Sequence, residues 1–186
     1  MEKKNEISDL QSHTGVKVMR CYQCGKCTAG CVLASDMNYP PSYLMRLLQT
    51  GTKDNYEKIL SSNSIWICLN CENCVGRCPM EIDIPKMMDY LRTQAIIHDN
   101  LHPDSRPIIA FHQSFLDSIK YTGRLYEMGL IAAFKARTFR LTQDLAIAPS
   151  MYLKGKLHLL PEKIKDRRGM KRIFAQTIEN VKTENV

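Results

Sequence analysis

Two short stretches carry every thiol in the chain. Residues 21–31 read CYQCGKCTAGC and residues 68–79 read CLNCENCVGRCP. Cys21, Cys24, Cys27 and Cys31 therefore recur, interval for interval, as Cys68, Cys71, Cys74 and Cys78. Four thiols at such spacing can form disulfides, chelate zinc or hold an iron–sulfur cluster. Zinc ligands normally come as two CxxC pairs a dozen or more residues apart, whereas here a third cysteine follows at once. The run C-x2-C-x2-C-x3-C-P is the bacterial iron–sulfur spacing, and in two-cluster proteins its fourth cysteine ligates the other cluster. The second quartet matches in full, including Pro79; the first has Val32 where the proline would stand. The pattern points to two [4Fe–4S] clusters with crossed ligands. One set is Cys21, Cys24, Cys27 and Cys78, and the other is Cys68, Cys71, Cys74 and Cys31.

That assignment uses all eight cysteines, which leaves no thiol as nucleophile or redox dithiol. The histidines, at 13, 98, 102, 112 and 158, form no zincin-type pair, and Pro103 is expected to end any helix shared by His98 and His102. No GxGxxG or P-loop is present, so no flavin, nicotinamide or nucleotide site is readable. A chain with two one-electron centres and no substrate site reads as a non-catalytic electron carrier. Gly25, Gly30 and Gly76 are expected to let the backbone approach sulfur closely. Met80, Met87, Met88 and Trp66 read as core filler rather than redox groups.

The elements that must position the cysteines are helical. Aligning Cys21 with Cys68 sets an internal repeat of 47 residues, and each quartet leads into a proline-initiated amphipathic run. Leu44, Leu47 and Leu48 share a face in the first, which Gly51 should cap. Ile84, Met88, Leu91 and Ala95 form the stripe of the second. Asp54–Leu60 suggests a short helix between them. Beyond Pro103 the stripe Ile108, Phe111, Phe115, Leu116 and Ile119 ends near Gly123. Leu125–Phe134 continues the helical pattern, 142–160 is interrupted by Pro149, and a basic helix is expected over 167–182. No period-2 strand is evident before residue 100. The expected fold is mainly α: an N-terminal tail (1–16), a two-cluster domain (17–100) and a basic C-terminal arm (101–186).

With 44% hydrophobic residues the chain is globular in composition. The opening MEKKNEISDL has no apolar signal region, and no run approaches the ~20 apolar residues of a membrane span. A cytoplasmic protein with reduced thiols is therefore expected. Residues 1–100 hold 11 basic and 11 acidic side chains, whereas residues 150–186 hold 9 and 4. The basic end suggests docking on an acidic protein surface. A nucleic-acid reading of the same residues lacks aromatic interleaving or a known motif.

RCYQCGKCTAGC, followed by a helical spacer and SIWICLNCENCVGRCPMEIDI, resembles the C-type iron–sulfur subunit of heterodisulfide reductases, most closely over about residues 20–92. The resemblance implies an α-helical ferredoxin fold with two [4Fe–4S] clusters. It also implies partners: a flavin-containing, A-type iron–sulfur protein, and a catalytic, B-type protein with CCG motifs. This chain has no adjacent cysteine pair and so does not resemble the catalytic partner. Iron–sulfur subunits of fumarate reductase- or glycolate oxidase-like enzymes share the double-quartet design and form the alternative.

Overall fold

The computed structural model describes residues 6–139, 148–155, 161, 164 and 166–179. The chain divides into two compact units, Met1–Ser105 and Arg106–Val186. Among the described residues every regular element is helical.

The first unit contains α1 (Glu6–Thr14), a 3-10 turn (Val18–Arg20), α2 (Lys26–Ala29), α3 (Pro41–Thr50), α4 (Lys53–Leu60), α5 (Ser64–Ile67), α6 (Asn73–Gly76) and α7 (Ile84–Ile97). Local chemistry explains their boundaries. Pro41 and Pro85 sit in the first turns of α3 and α7, where a missing N–H costs nothing. Asp83 accepts the Lys86 N–H at 3.0 Å and Thr52 accepts that of Asn55 at 3.4 Å, capping α7 and α4. Gly51, at φ +63°, turns the chain left-handed and ends α3. Helix α7 ends at Ile97 and His102 precedes α8, so His98 and His102 share no helix.

The expected stripe of α7 is the observed one: Ile84, Met88, Leu91 and Ala95 are all buried, and Met87 joins them. On α3, Leu44 and Leu48 are buried and Leu47 partly so; Met45, outside the expected face, is fully buried. Burying each such side chain contributes about 1.5–3 kcal/mol relative to exposure. The N-terminal stretch read as a tail instead carries α1. Its Leu10 is fully buried and α1 packs on α7. A nine-residue helix with a single deeply buried leucine is too short for a periodic signal, and only docking makes it stable.

The second unit contains α8 (Ser105–Thr122), α9 (Glu127–Thr138), α10 (Ala148–Leu153) and α11 (Arg167–Phe174), which runs into a π-helical turn, Ala175–Glu179. Gly123, at φ +85°, ends α8 as expected. Phe111 meets Phe134 edge-on at 6.0 Å, and Arg137 reaches Ser114 Oγ and Asp117, each at 2.6 Å, tying α9 to α8. Residues 180–182 of the expected basic helix, and 142–147 and 156–160 of the interrupted segment, lie outside the described residues. Among the described residues, every buried hydrophobic falls between Leu10 and Ala95. No described helix is long and apolar enough to cross a membrane.

Candidate metal centre

The sequence repeat is also a repeat of conformation. In the first loop Gln23 and Gly25 take positive φ, +62° and +77°; in the second, Asn70 and Glu72 take +50° and +62°. Each pair is 47 residues apart, as are α2 and α6. Left-handed residues alternating in this way gather backbone N–H groups into a concavity suited to an anion, and a thiolate-ligated cluster is anionic. The two loops are held by matching clamps. Gln49 Nε2 donates to the carbonyls of Cys21 (2.6 Å) and Val18 (3.3 Å). Arg92 donates to the carbonyls of Cys68 (2.6 Å) and Ile65 (2.5 Å). Residues 65 and 68 are the repeat equivalents of 18 and 21, so a neutral amide and a guanidinium do the same mechanical task.

Cross-links bring the two repeats together. Asn38 and Asn63 exchange backbone N–H to side-chain oxygen bonds of 2.8 and 2.9 Å, and the Tyr39 N–H reaches Ser64 Oγ at 2.7 Å. These bonds fasten the chain after Cys31 to the lead-in of Cys68. Helices α2 and α6 pack on each other.

The cysteines line two cavities. Cys21, Cys24, Cys27 and Cys78 face one, with Gln23, Lys26, Ser42 and Met45. Cys31, Cys68, Cys71 and Cys74 face the other, with Val32, Leu33, Met37 and Met88. Ile84 lines both. All eight cysteines are free thiols, Cys27 is buried, and the equivalent pair Cys24 and Cys71 is exposed. A wider cleft of about 450 Å³, lined by Glu6, Tyr56, Glu57 and His98, has no cysteine in its wall.

Burial pushes the thiols of Cys27, Cys68 and Cys74 up, Cys74 to about 11. Neighbouring thiols push the same way: Cys21 on Cys27, Cys31 on Cys68 and Cys68 on Cys74. Arg92 acts against this on Cys68. Thiolates crowded in low dielectric need a compensating cation, so metal binding here releases protons and contributes to folding. Donor type, ring arrangement and apolar walls all fit an iron–sulfur cluster in each cavity.

Residues 17–82 match the 4Fe–4S dicluster domain. The chain is similar to curated archaeal proteins. The C-type iron–sulfur subunit of CoB–CoM heterodisulfide reductase from Methanopyrus kandleri is 36% identical over 95 residues, 48% of each chain. The C-type subunit of the H2:CoB–CoM heterodisulfide,ferredoxin reductase of Methanothermobacter thermautotrophicus is 29% identical over 102 residues, 55% of this chain and 54% of that one. A second C-type iron–sulfur subunit of CoB–CoM heterodisulfide reductase, from Methanocaldococcus jannaschii, is 27% identical over 111 residues, 60% of this chain and 58% of that one. The chain spans about half the length of the curated relatives it matches.

Other residues around the dicluster domain differ from expectation. Gly30 does not serve an approach to sulfur: a Cβ there would strike the side chain of Arg77, its own repeat equivalent. Gly76 has open space around it. Met87 and Met88 are core residues as expected, and Met88 also lines a cavity; Met37 and Met45, which no sequence signal marked, line the cavities too. Trp66 packs on the core as expected, with its Nε1 buried and without a hydrogen-bond partner. Gln49, Asp89 and Arg92 stand out in no sequence pattern, because a carbonyl clamp has no motif.

Proposed function

We propose that this chain is the electron-transfer iron–sulfur subunit of a cytoplasmic heterodisulfide reductase-type complex. It relays single electrons between a flavin-containing iron–sulfur subunit and a catalytic subunit with CCG motifs. The observation that supports this most is the pair of four-thiol cavities sharing Ile84 as a wall. A [4Fe–4S] cluster supplies a one-electron centre when bound. Cys21, Cys24, Cys27 and Cys78 hold the first as thiolates, and Cys31, Cys68, Cys71 and Cys74 hold the second. Ile84, Met45 and Met88 exclude water from between and behind the ligands, which keeps the charge of reduction from being solvated away. Cys24 and Cys71, exposed at equivalent corners, bring one edge of each ligand ring to the surface, where a protein partner can approach. The basic residues beyond 150 fasten the chain to its partners. Relatives named as C-type subunits of heterodisulfide reductases support this choice of complex.

The test is anaerobic reconstitution followed by iron and sulfide analysis, and then Cys78→Ser. About eight irons per chain are expected, from two four-iron clusters. Cys78→Ser should disturb the paramagnetic signal of the Cys21/Cys24/Cys27 centre. Zinc in place of iron, or a change confined to the other signal, would refute the metal or the ligand sets respectively. Co-purification with a flavoprotein and a CCG-bearing protein tests the complex.

A further inference from the structure

The two ligand sets sit in equivalent backbone but unlike electrostatic surroundings, and the differences accumulate in one direction. At the equivalent positions 26 and 73 the first loop has Lys26 and the second Asn73; at 25 and 72 they have Gly25 and Glu72. Lys26, Glu72 and Asn73 line the cavities themselves. They thus lie well inside the ~8 Å over which salt screens charge. At these equivalent positions the first loop carries a positive charge and the second a negative one.

A side-chain dipole in the second loop adds to the contrast. Gln23 lies beside Cys21, and either placement of its amide finds partners: Nε2 on Gln49 Oε1 at 2.9 Å, or Nε2 on the Ser42 carbonyl at 3.0 Å with its oxygen accepting the Arg46 N–H at 3.3 Å. The Gln49 amide is itself fixed, because its Nε2 is committed to the carbonyls of Cys21 and Val18. In the second loop Asn70 gives its N–H groups to Asp89, at 3.0 and 3.1 Å. Its Oδ1 is left 3.5 Å from Cys68 Sγ. An N–H directed at a ligand sulfur stabilises added negative charge there; a carbonyl oxygen opposes it.

The walls agree. Val32, Leu33, Met37, Leu69, Pro85 and Met88 line the second cavity, whereas Ser42 lies in the first. A less polar wall solvates the charge gained on reduction less well. Against these stands Arg92, a positive charge acting on Cys68 even though Asp89 pairs with it at 2.8 Å.

We propose, resting on the ligand sets above, that the two centres are poled: Cys21, Cys24, Cys27 and Cys78 hold the more readily reduced one. An electron delivered by a one-electron protein donor then passes past Ile84 from the Cys31/Cys68/Cys71/Cys74 centre to the other. The Cys31/Cys68/Cys71/Cys74 centre is oxidised by one electron, the Cys21/Cys24/Cys27/Cys78 centre is reduced by one, and no bond is made or broken. The surface around Cys71 is the entry and that around Cys24 the exit.

Potentiometric titration of the reconstituted full chain, followed by electron paramagnetic resonance, tests this. Lys26→Gln should lower one midpoint and Glu72→Gln should raise the other, each variant assigning its signal to a ligand set. Neither side chain belongs to the hydrophobic core, so folding is spared. In the unsubstituted chain the signal moved by Lys26→Gln should lie higher, by at least about tenfold in the equilibrium constant, or ~59 mV for one electron. Equal midpoints, or a higher midpoint for the signal moved by Glu72→Gln, would overturn the polarity while leaving the ligand sets intact. An iron content far below about eight per chain would instead remove the ligand sets on which it rests.

Discussion

The two halves of the repeat share a backbone and differ in what secures it. The first loop turns through Gly25 and is clamped by a neutral amide, Gln49. The second turns through Glu72, a left-handed residue with a side chain, and is clamped by Arg92 with Asp89 behind it. A fold can thus copy a ligand-holding loop while changing its supports, because the carbonyls of Cys21 and Cys68 ask only for a donor. The comparison separates what iron–sulfur ligation demands, namely spacing and left-handed turns, from what each loop is free to vary.

The largest expected effect removes the difference between the halves altogether. Stripping iron with a chelator under anaerobic conditions should abolish most helical circular dichroism of the first unit. The thiols that join the repeats would then be left protonated and without their metal. Helicity unchanged by iron loss would show that the hydrophobic core alone holds the repeats in place.

Removing the clamps one at a time should sharpen the contrast. Arg92→Ala leaves two carbonyls and Asp89 without a charged donor and should destabilise by about 2–3 kcal/mol; Gln49→Ala should cost about 1–2 kcal/mol. Thermal unfolding of the iron-loaded chain measures both, and each variant should weaken chiefly the signal of its own loop. Equal losses in both signals would mean that the clamps act globally rather than loop by loop.

Exchanging the turn residues gives the smallest effect. Glu72→Gly should relieve about 1 kcal/mol of left-handed strain, and Gly25→Ala should introduce a similar amount. Denaturant midpoints compared at constant slope would reveal this, and opposite signs are the expected outcome. A destabilising Glu72→Gly would mean that the carboxylate makes a contact outweighing the strain.

Much of the molecule is legible in its sequence. The cysteine intervals, the proline starts of α3 and α7, Gly51 and the 84–88–91–95 stripe each act within a few residues, so local chemistry is enough to read them. Helix α1 escapes such a reading because nine residues with one buried leucine carry little periodicity. Gly30 misleads because the atoms that need its space belong to Arg77, far along the chain.

What sequence alone determined is the chemistry on offer: eight thiols in two identical spacings, with helices to follow each. Only the tertiary structure decided the surroundings of each thiol ring. It chose Ile84 as the shared wall, Gln49 and Arg92 as clamps, and Asn70 with its oxygen rather than its nitrogen toward sulfur. Spacing along a chain dictates which ligands can reach one centre. The charges and dipoles around that centre come from residues brought close in space, and no local pattern records them.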